Sequence, residues 1–342
     1  MLGRRVLERL AGGGPSGGGL VAVDRSWPTP APAGVEAVTA DLGSADLVDL
    51  FDGAATVVHL AFDFTGGGED DLATARANVA ATRRLLAAAG KATVQHLVVL
   101  SSSTVYGAWP SNPVPLTEDA PLKPNPGFGY AAAKAEVERL CAEWADEHPG
   151  ATVAILRPAP TLGDGDESWL SSALRQASGV RAGDADPPAQ FLHLDDLASA
   201  VVLAAGRSLD GAYNVAPDGW ISAEEVRALA GAPPRVRVPV GVAKAVAAVA
   251  WRWRVARTPP GLIPYTMHPW VVANDRLRAA GWEPESSNAE TYVTTHVGTP
   301  WSRLSPKRRQ ELALGVSVAT VAGTALAVGL FVRRRIRAAR SA

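Results

Sequence analysis

Tyr130 and Lys134 stand four residues apart in the stretch GFGYAAAKAEVERL, and the hydroxyl-rich SSSTVYG (Ser101 to Gly107) lies upstream of them. From Tyr130 onward the residues are good helix formers with few breakers, so the two side chains share one helix face. Gln95 to Leu100, QHLVVL, is a short apolar run bounded by that hydroxyl cluster and reads as a buried strand ending at Ser101. A phenol ordinarily ionises near pH ~10, and an ammonium held beside it favours the ionised form. A serine at the strand end can donate a hydrogen bond to the same oxygen. Together the three groups suit proton transfer at a carbinol or carbonyl oxygen while a hydride leaves or arrives elsewhere.

The elements that must position this set follow an alternating pattern. Leu20 to Arg25 (LVAVDR) reads as a strand ending in an acid, and Thr56 to Ala61 (TVVHLA) as a buried strand. Asn78 to Lys91 is an amphipathic helix, and Thr152 to Pro160 another strand. Strands alternating with helices predict a right-handed parallel sheet with helices on both faces. Gly12 to Gly19 reads as a flexible link, and its glycines follow a helix, so they are not a phosphate loop. Trp169 to Gln176 and the nearly uncharged run Val238 to Trp253 read as helices, the second buried in a C-terminal lobe.

The combination resembles the extended short-chain dehydrogenase/reductase family of the NAD-dependent epimerase/dehydratase type. That family carries a Ser/Thr shortly before V-Y-G and then Y-x-x-x-K. Aligned on Val105-Tyr106-Gly107, the resemblance implies Ser102 as orienter, Tyr130 as acid/base, and Lys134 as its pKa-lowering partner and ribose ligand. Asp24 at its strand end would bind the adenosine ribose hydroxyls and select NAD, whereas the adjacent Arg25 could accept the 2′-phosphate of NADP. Asp41-Leu42 matches the family's adenine-contacting D-L step. Leu60 and Ala61 match its approach to the cofactor, and Arg157-Pro158 its L-R-P step, with Pro158 near the cofactor. His59 and Asn78 read as structural. Gln190 to Ala204 resembles the family's F-x-H-V-D-D-L-A segment; there a helix N-cap explains Asp195 or Asp196 better than a metal site with His193, and no metal is expected.

Two departures matter. The family opens with a strand and a glycine motif that cradles pyrophosphate at a helix N-terminus. Here Met1 to Leu10 matches only the end of that motif and its helix, with Gly3 as the last glycine. Either the start was placed too far downstream or the chain is a degraded relative; the otherwise intact signature favours the first. In addition, Ser103 and Thr104 stand where the family's dehydratases carry an Asp-Glu pair, which argues against elimination of water, and Pro160 stands where its sugar-nucleotide epimerases often carry Asn. LRPAPTLGDGD looks instead like the corresponding stretch of hydroxysteroid-dehydrogenase-like and flavonol-reductase-like members. The expectation is an NAD(P)-dependent oxidoreductase acting on a lipophilic alcohol or ketone, with NAD as cofactor and NADP possible. A sugar-nucleotide epimerase and a non-catalytic membrane-tethered scaffold are the alternatives.

At 342 residues the chain is long enough for a large core with an appended lobe. The single cysteine, Cys141, excludes an internal disulfide and fits a reducing compartment. From Arg303 onward there are nine Lys/Arg and one acid, leaving 24 basic and 33 acidic residues before it. An acidic body argues against nucleic acid as a partner. Leu312 to Val332 is 21 residues without a charge, flanked by Lys307-Arg308-Arg309 and by Arg333, Arg334, Arg335 and Arg337. At ~1.5 Å per residue a helix there would span a bilayer core, so a cytoplasmic catalytic body anchored by this tail is expected. Met1 to Leu10 is charged and lacks the apolar core of a signal peptide.

The fold predicted is therefore α/β, a Rossmann-like doubly wound parallel sheet with a smaller C-terminal substrate lobe and a C-terminal hydrophobic helix. The divisions are 1–215 for dinucleotide binding (159–190 contributing to the lobe), 216–300 for the lobe, and 301–342 for the tail with its helix at 312–332. A homodimer is possible by the resemblance, through the Tyr130 helix.

Overall fold

Two strands set the layering. In the computed structural model, β4 (His96–Leu100) sends Leu97 and Val99 to one face and Val98 to the other. β5 (Thr152–Pro158) does the same with Val153 and Ile155 against Ala154 and Leu156. Strands covered on both faces need apolar residues at every position, which is why these segments read as continuous hydrophobic runs. One face packs on α1 (Leu2–Gly13) through Val6 and on α5 (Leu194–Gly206) through Leu197 and Val201. The other packs on α2 (Leu47–Leu50), α3 (Glu69–Lys91) and α4 (Gly129–Glu147) through Leu47, Leu85, Leu86, Val137, Leu140 and Trp144.

The structure describes residues 2–13, 18–27, 29–63, 69–163, 166–167, 180–182, 186–230, 236–242 and 260–295. β3 (Thr56–His59), β4, β5 and β10 (Gly211–Val215) form one parallel sheet in the order β10-β5-β4-β3. β1 (Leu20–Asp24) and β2 (Val35–Thr39) form a separate parallel pair. Among the described residues β1 and β3 each keep one edge without a strand partner. The ends of β1 and β3 are linked just beyond their last residues by Arg25 and Asp63, 2.5 Å apart. Short strands β6 (Thr161–Gly163), β7 (Asp166–Glu167) and β9 (Leu192–His193) make a small mixed sheet; β8 (Val180–Ala182) pairs in parallel with β11 (Val236–Val238). Helices α6 (Ala223–Ala230), α7 (Asp275–Ala279) and α8 (Asn288–Thr295) complete the set.

The chain divides into two compact units, Met1–Ala223 with Val236–Thr295, and Glu224–Arg235 with His296–Ala342. The candidate site described below lies in the first.

The doubly wound parallel architecture is as expected, with local differences. The helix before β4 begins at Glu69, well before Asn78, and α1 runs through Gly12 and Gly13 before the link starts. At α5 the N-cap is neither aspartate: His193 accepts a hydrogen bond at Nδ1 from the Asp195 N–H, because its extended backbone puts the ring over the first turn. Asp195 pairs with Arg5 of α1, and Asp196 accepts the N–H groups of Glu285 and Ser286. The helices expected at 169–176 and over most of 238–253, and the tail with its apolar run Leu312 to Val332, lie outside the described residues. Among the described residues no helix is long and apolar enough to cross a membrane.

Candidate active site

β4 ends at Leu100, and the chain turns through a 3-10 turn, Ser103–Tyr106, before leaving the sheet. Ser102 caps that turn: its Oγ accepts from the Thr104 N–H at 3.3 Å and from Thr104 Oγ1 at 3.0 Å. Gly107 closes the turn at φ +69°, and a Cβ there would fall 2.2 Å from the Lys123 carbonyl oxygen. This is the physical reason for the glycine of V-Y-G. α4 starts after Phe128 without a side-chain cap and stops at His148, ahead of Pro149. Its Ala-rich first turns let it sit close to β4, and so Tyr130 and Lys134 reach the strand end.

The Tyr130 hydroxyl is hydrogen bonded to Ser102. Both lone pairs of Ser102 Oγ are taken by Thr104, so its own proton is the one offered to the phenol oxygen. Tyr130 is half-buried, with Phe62 edge-on at 5.5 Å and Phe128 at 5.7 Å between ring centroids. Burial pushes the phenol up to about 12, with the Ser102 hydrogen bond opposing.

Lys134 is fully enclosed. Nζ donates to the Leu100 carbonyl oxygen at 2.7 Å and lies 3.7 Å over the Phe62 ring, but 5.9 Å from the centroid of Tyr130. Burial brings the ammonium down to about 7, against the opposing pull of Glu138 and Cys141. The spacing alone led to the expectation that Lys134 would make the phenol more acidic. In this state desolvation of the phenol is the larger effect, and the ammonium is spent on Leu100 and Phe62.

The other expected residues collect at the carboxyl ends of parallel strands, where open α/β sheets bind ligands. Asp24 ends β1 exposed, with Oδ1 accepting, among the described residues, the Ser26 N–H at 3.2 Å. Arg25 is held by Asp63. Asp41 is exposed and shapes a tight turn, Oδ1 accepting from Gly43 N at 2.7 Å; Leu42 packs toward α2 and α3. Leu60 packs on the α1 face of the core, Ala61 is exposed beyond β3, and Pro158 is buried at the end of β5. Gly3 lies in the first turn of α1, which carries no acidic residue, and a Cβ at Gly3 would meet nothing within 4 Å. A dinucleotide fits this donor set: an open carboxylate for ribose hydroxyls and a helix start free of opposing charge. His59 is buried on Thr82 Oγ1 at 3.1 Å and depressed to about 4 by burial and by Lys134, which makes it a neutral structural group. Asn78 pairs with both backbone groups of Asp63 at 2.9 and 2.6 Å. Among the described residues no cluster of three His, Cys, Asp or Glu could hold a metal ion.

Several residues at the site were not foreseen. Phe62 directly follows the H-L-A step and covers Lys134. Tyr265, in the Pro260–Thr266 turn, donates to the Thr104 carbonyl oxygen at 2.7 Å and packs on Phe128 at 5.3 Å. Glu138, two turns beyond Tyr130 on α4, receives Ser101 Oγ and Arg157. Only Glu138 had a local signal, the continued four-residue spacing after Tyr130 and Lys134.

Comparison with known proteins finds relatives by sequence and by fold. The chain is 36% identical over 129 residues to the uncharacterized protein y4nG of Sinorhizobium fredii (strain NBRC 101917 / NGR234), covering 36% of this chain and 31% of that one. It is 29% identical over 170 residues to the 4-hydroxy-2-methyl-3-oxo-4-farnesyl-3,4-dihydroquinoline-1-oxide ketoreductase of Stigmatella aurantiaca, covering 49% and 50%. The matches thus span half or less of the length of these curated relatives. Among solved structures, the UDP-glucose 4-epimerase of Thermus thermophilus in complex with NAD shares the fold, with a TM-score of 0.64 at 21% identity over 86% of this chain and 94% of that one. The sequence model of one family matches residues 1–216, well over half of the protein, and with the strand-end serine, tyrosine and lysine assembled as described, the chain belongs to the NAD dependent epimerase/dehydratase family, whose cofactor is NAD.

Proposed function

We propose that the protein is an NAD-dependent oxidoreductase that interconverts a lipophilic secondary alcohol and its ketone. The observation that carries this reading is the hydrogen bond between Ser102 and Tyr130 inside an aromatic surround, with hydroxyls and no carboxylates at positions 103 and 104. Bound NAD supplies the hydride acceptor. In the oxidative direction Tyr130, ionised to its phenolate, takes the proton from the substrate hydroxyl as the hydride leaves the adjacent carbon, and Ser102 steadies the phenolate oxygen by its donated hydrogen bond. In the reductive direction the Tyr130 proton goes to the carbonyl oxygen. On cofactor entry Lys134 would turn its ammonium from the Leu100 carbonyl oxygen toward the ribose, Asp24 would take ribose hydroxyls, and Phe62 and Phe128 keep water from the phenol. The engagement of Arg25 by Asp63 favours NAD over NADP.

The Stigmatella ketoreductase supports a lipophilic ketone. A second reading, a sugar-nucleotide epimerase, is favoured by the fold shared with the Thermus epimerase. Purified protein is tested with NAD and a panel of sterol-like alcohols, and with UDP-hexoses. NADH formation with the alcohols and no epimerisation supports the first reading; epimerised sugar without net NADH establishes the second. No NAD or NADP binding by calorimetry would leave the non-catalytic scaffold. Membrane attachment through Leu312 to Val332 stands as a proposal from sequence alone.

A further inference from the structure

Three consecutive residues at the end of β4 meet three consecutive turns of α4. The Leu100 carbonyl oxygen accepts from Lys134 at 2.7 Å, Ser101 Oγ donates to Glu138, and Ser102 bonds to Tyr130. Tyr130, Lys134 and Glu138 are each four residues apart, so they form one stripe along the helix. Glu138 is buried and is gripped by Arg157 of β5, through Nε at 3.2 and 3.0 Å and Nη2 at 2.7 Å. Arg157 Nη1 donates to the Tyr106 hydroxyl at 2.7 Å, which donates to Asn214 Oδ1 of β10 at 2.8 Å. One carboxylate therefore ties α4 to β4, β5, the 3-10 turn and β10.

We propose, resting on the reading of Tyr130 and Lys134 given above, that Glu138 is a positioning residue for that pair: it sets the charge Lys134 carries and the register of Leu100–Ser102 against α4. Stability alone is a poor reason for the arrangement, since a buried ion pair repays its desolvation only with difficulty. Its place one turn beyond the two reacting side chains and its bond to the residue between their two strand-end partners give a better one. The groups that bear on Lys134 can be named. On α4 these are Glu138 and Cys141, which favour its protonated form, and Tyr130. From the β3 side come His59, held neutral, and the Phe62 ring; from β5 comes Arg157, acting through Glu138. Glu138 is the one carboxylate named among them, so its removal has a definite direction.

The chain has five lysines, Lys91, Lys123, Lys134, Lys244 and Lys307, so protein labelled with lysine carbon-13 at Cε gives a resolvable set, with Lys134 assigned by its loss in Lys134→Met. The Lys134 titration midpoint is followed by NMR in the wild type and in Glu138→Gln, with melting curves recorded on both. A midpoint near 7 that falls by about one pH unit or more, a tenfold change in the protonated ratio, is expected. A variant that melts lower but keeps the wild-type midpoint makes Glu138 merely structural and overturns the proposal. Should Glu138→Gln not fold, Glu138→Asp, which draws the charge back by one methylene, is measured instead; its midpoint must also fall, and an unchanged one overturns the proposal. The titration needs no substrate. Its failure leaves the proposed reaction untouched, and an inactive wild type leaves the titration result standing.

Discussion

Lys134 Nζ donates to the carbonyl oxygen of Leu100 across 2.7 Å, and this bond fixes the helix carrying Tyr130 to the end of β4. The same enclosure makes Lys134 costly at neutral pH. Its folded value is about 7 against 10.5 for the ordinary group, so between these limits the unfolded chain binds more protons and stability rises with pH. The contribution is about 1.4 kcal/mol per pH unit across that window and flat below it. Lys134→Met removes it. Urea unfolding at pH 7, 8.5 and 10 is expected to show the variant's advantage shrinking steadily as pH rises; parallel stability curves would refute the burial argument.

Tyr130→Phe deletes the oxygen and keeps the ring that packs on Phe62 and Phe128. Turnover is expected to fall below detection while NAD affinity, measured by calorimetry, changes little. Ser102→Ala removes the proton donated to the phenol oxygen and frees the Thr104 groups that it satisfied. A loss in kcat of about 10²-fold or more is expected, within the range for positioned acid–base groups, with KM little changed. Full activity in either variant would remove the assigned roles.

The part of the site written in local spacing was legible in the sequence. Ser102, Tyr130 and Lys134 lie on two neighbouring elements whose periodicities fix their directions, and the apolar runs at Leu97–Leu100 and Val153–Leu156 fixed the covered sheet. What escaped was set by long-range packing. Tyr265 reaches Thr104 from 161 residues away, with no pattern to announce it. That burial would outweigh the ammonium at Tyr130 is a balance of desolvation against charge, visible only once Phe62 and Phe128 are placed around the ring. His193 as the α5 cap depended on an extended backbone at φ −73°, ψ 143°, where the two neighbouring aspartates looked like better caps by residue type.

Cofactor choice turns on how Arg25 is used. Its guanidinium is held by Asp63, and Asp63 is held in turn by Asn78 through the backbone, so a 2′-phosphate would have to compete with that carboxylate for the arginine. Asp63→Ala releases it. NADPH affinity, read by fluorescence titration, is expected to rise about tenfold, equivalent to about 1.4 kcal/mol, with NADH affinity nearly unchanged. Adding Asp24→Ala to that variant should weaken NADH and complete the switch. Equal affinities for the two cofactors in the wild type would count against the role given to Asp24.

Acid should unfold the protein partly through His59. The imidazole is buried against Thr82 and depressed to about 4 from the ordinary 6.5, because enclosure and the nearby Lys134 both disfavour its charged form. Between pH 6.5 and 4 the unfolded chain therefore binds a proton that the folded chain refuses, and stability drains away as pH falls through that window. The loss from this one group is about 3 kcal/mol, complete near pH 4. His96, also lowered by burial between Thr152 and the Ala204 carbonyl oxygen, adds a separate slope of the same sign. His59→Asn keeps a polar partner for Thr82 and cannot ionise. Its urea midpoint should lie below the wild type at pH 7 and approach or pass it by pH 4, whereas a constant gap across that range would mean that His59 takes up its proton equally readily in the folded and unfolded chain.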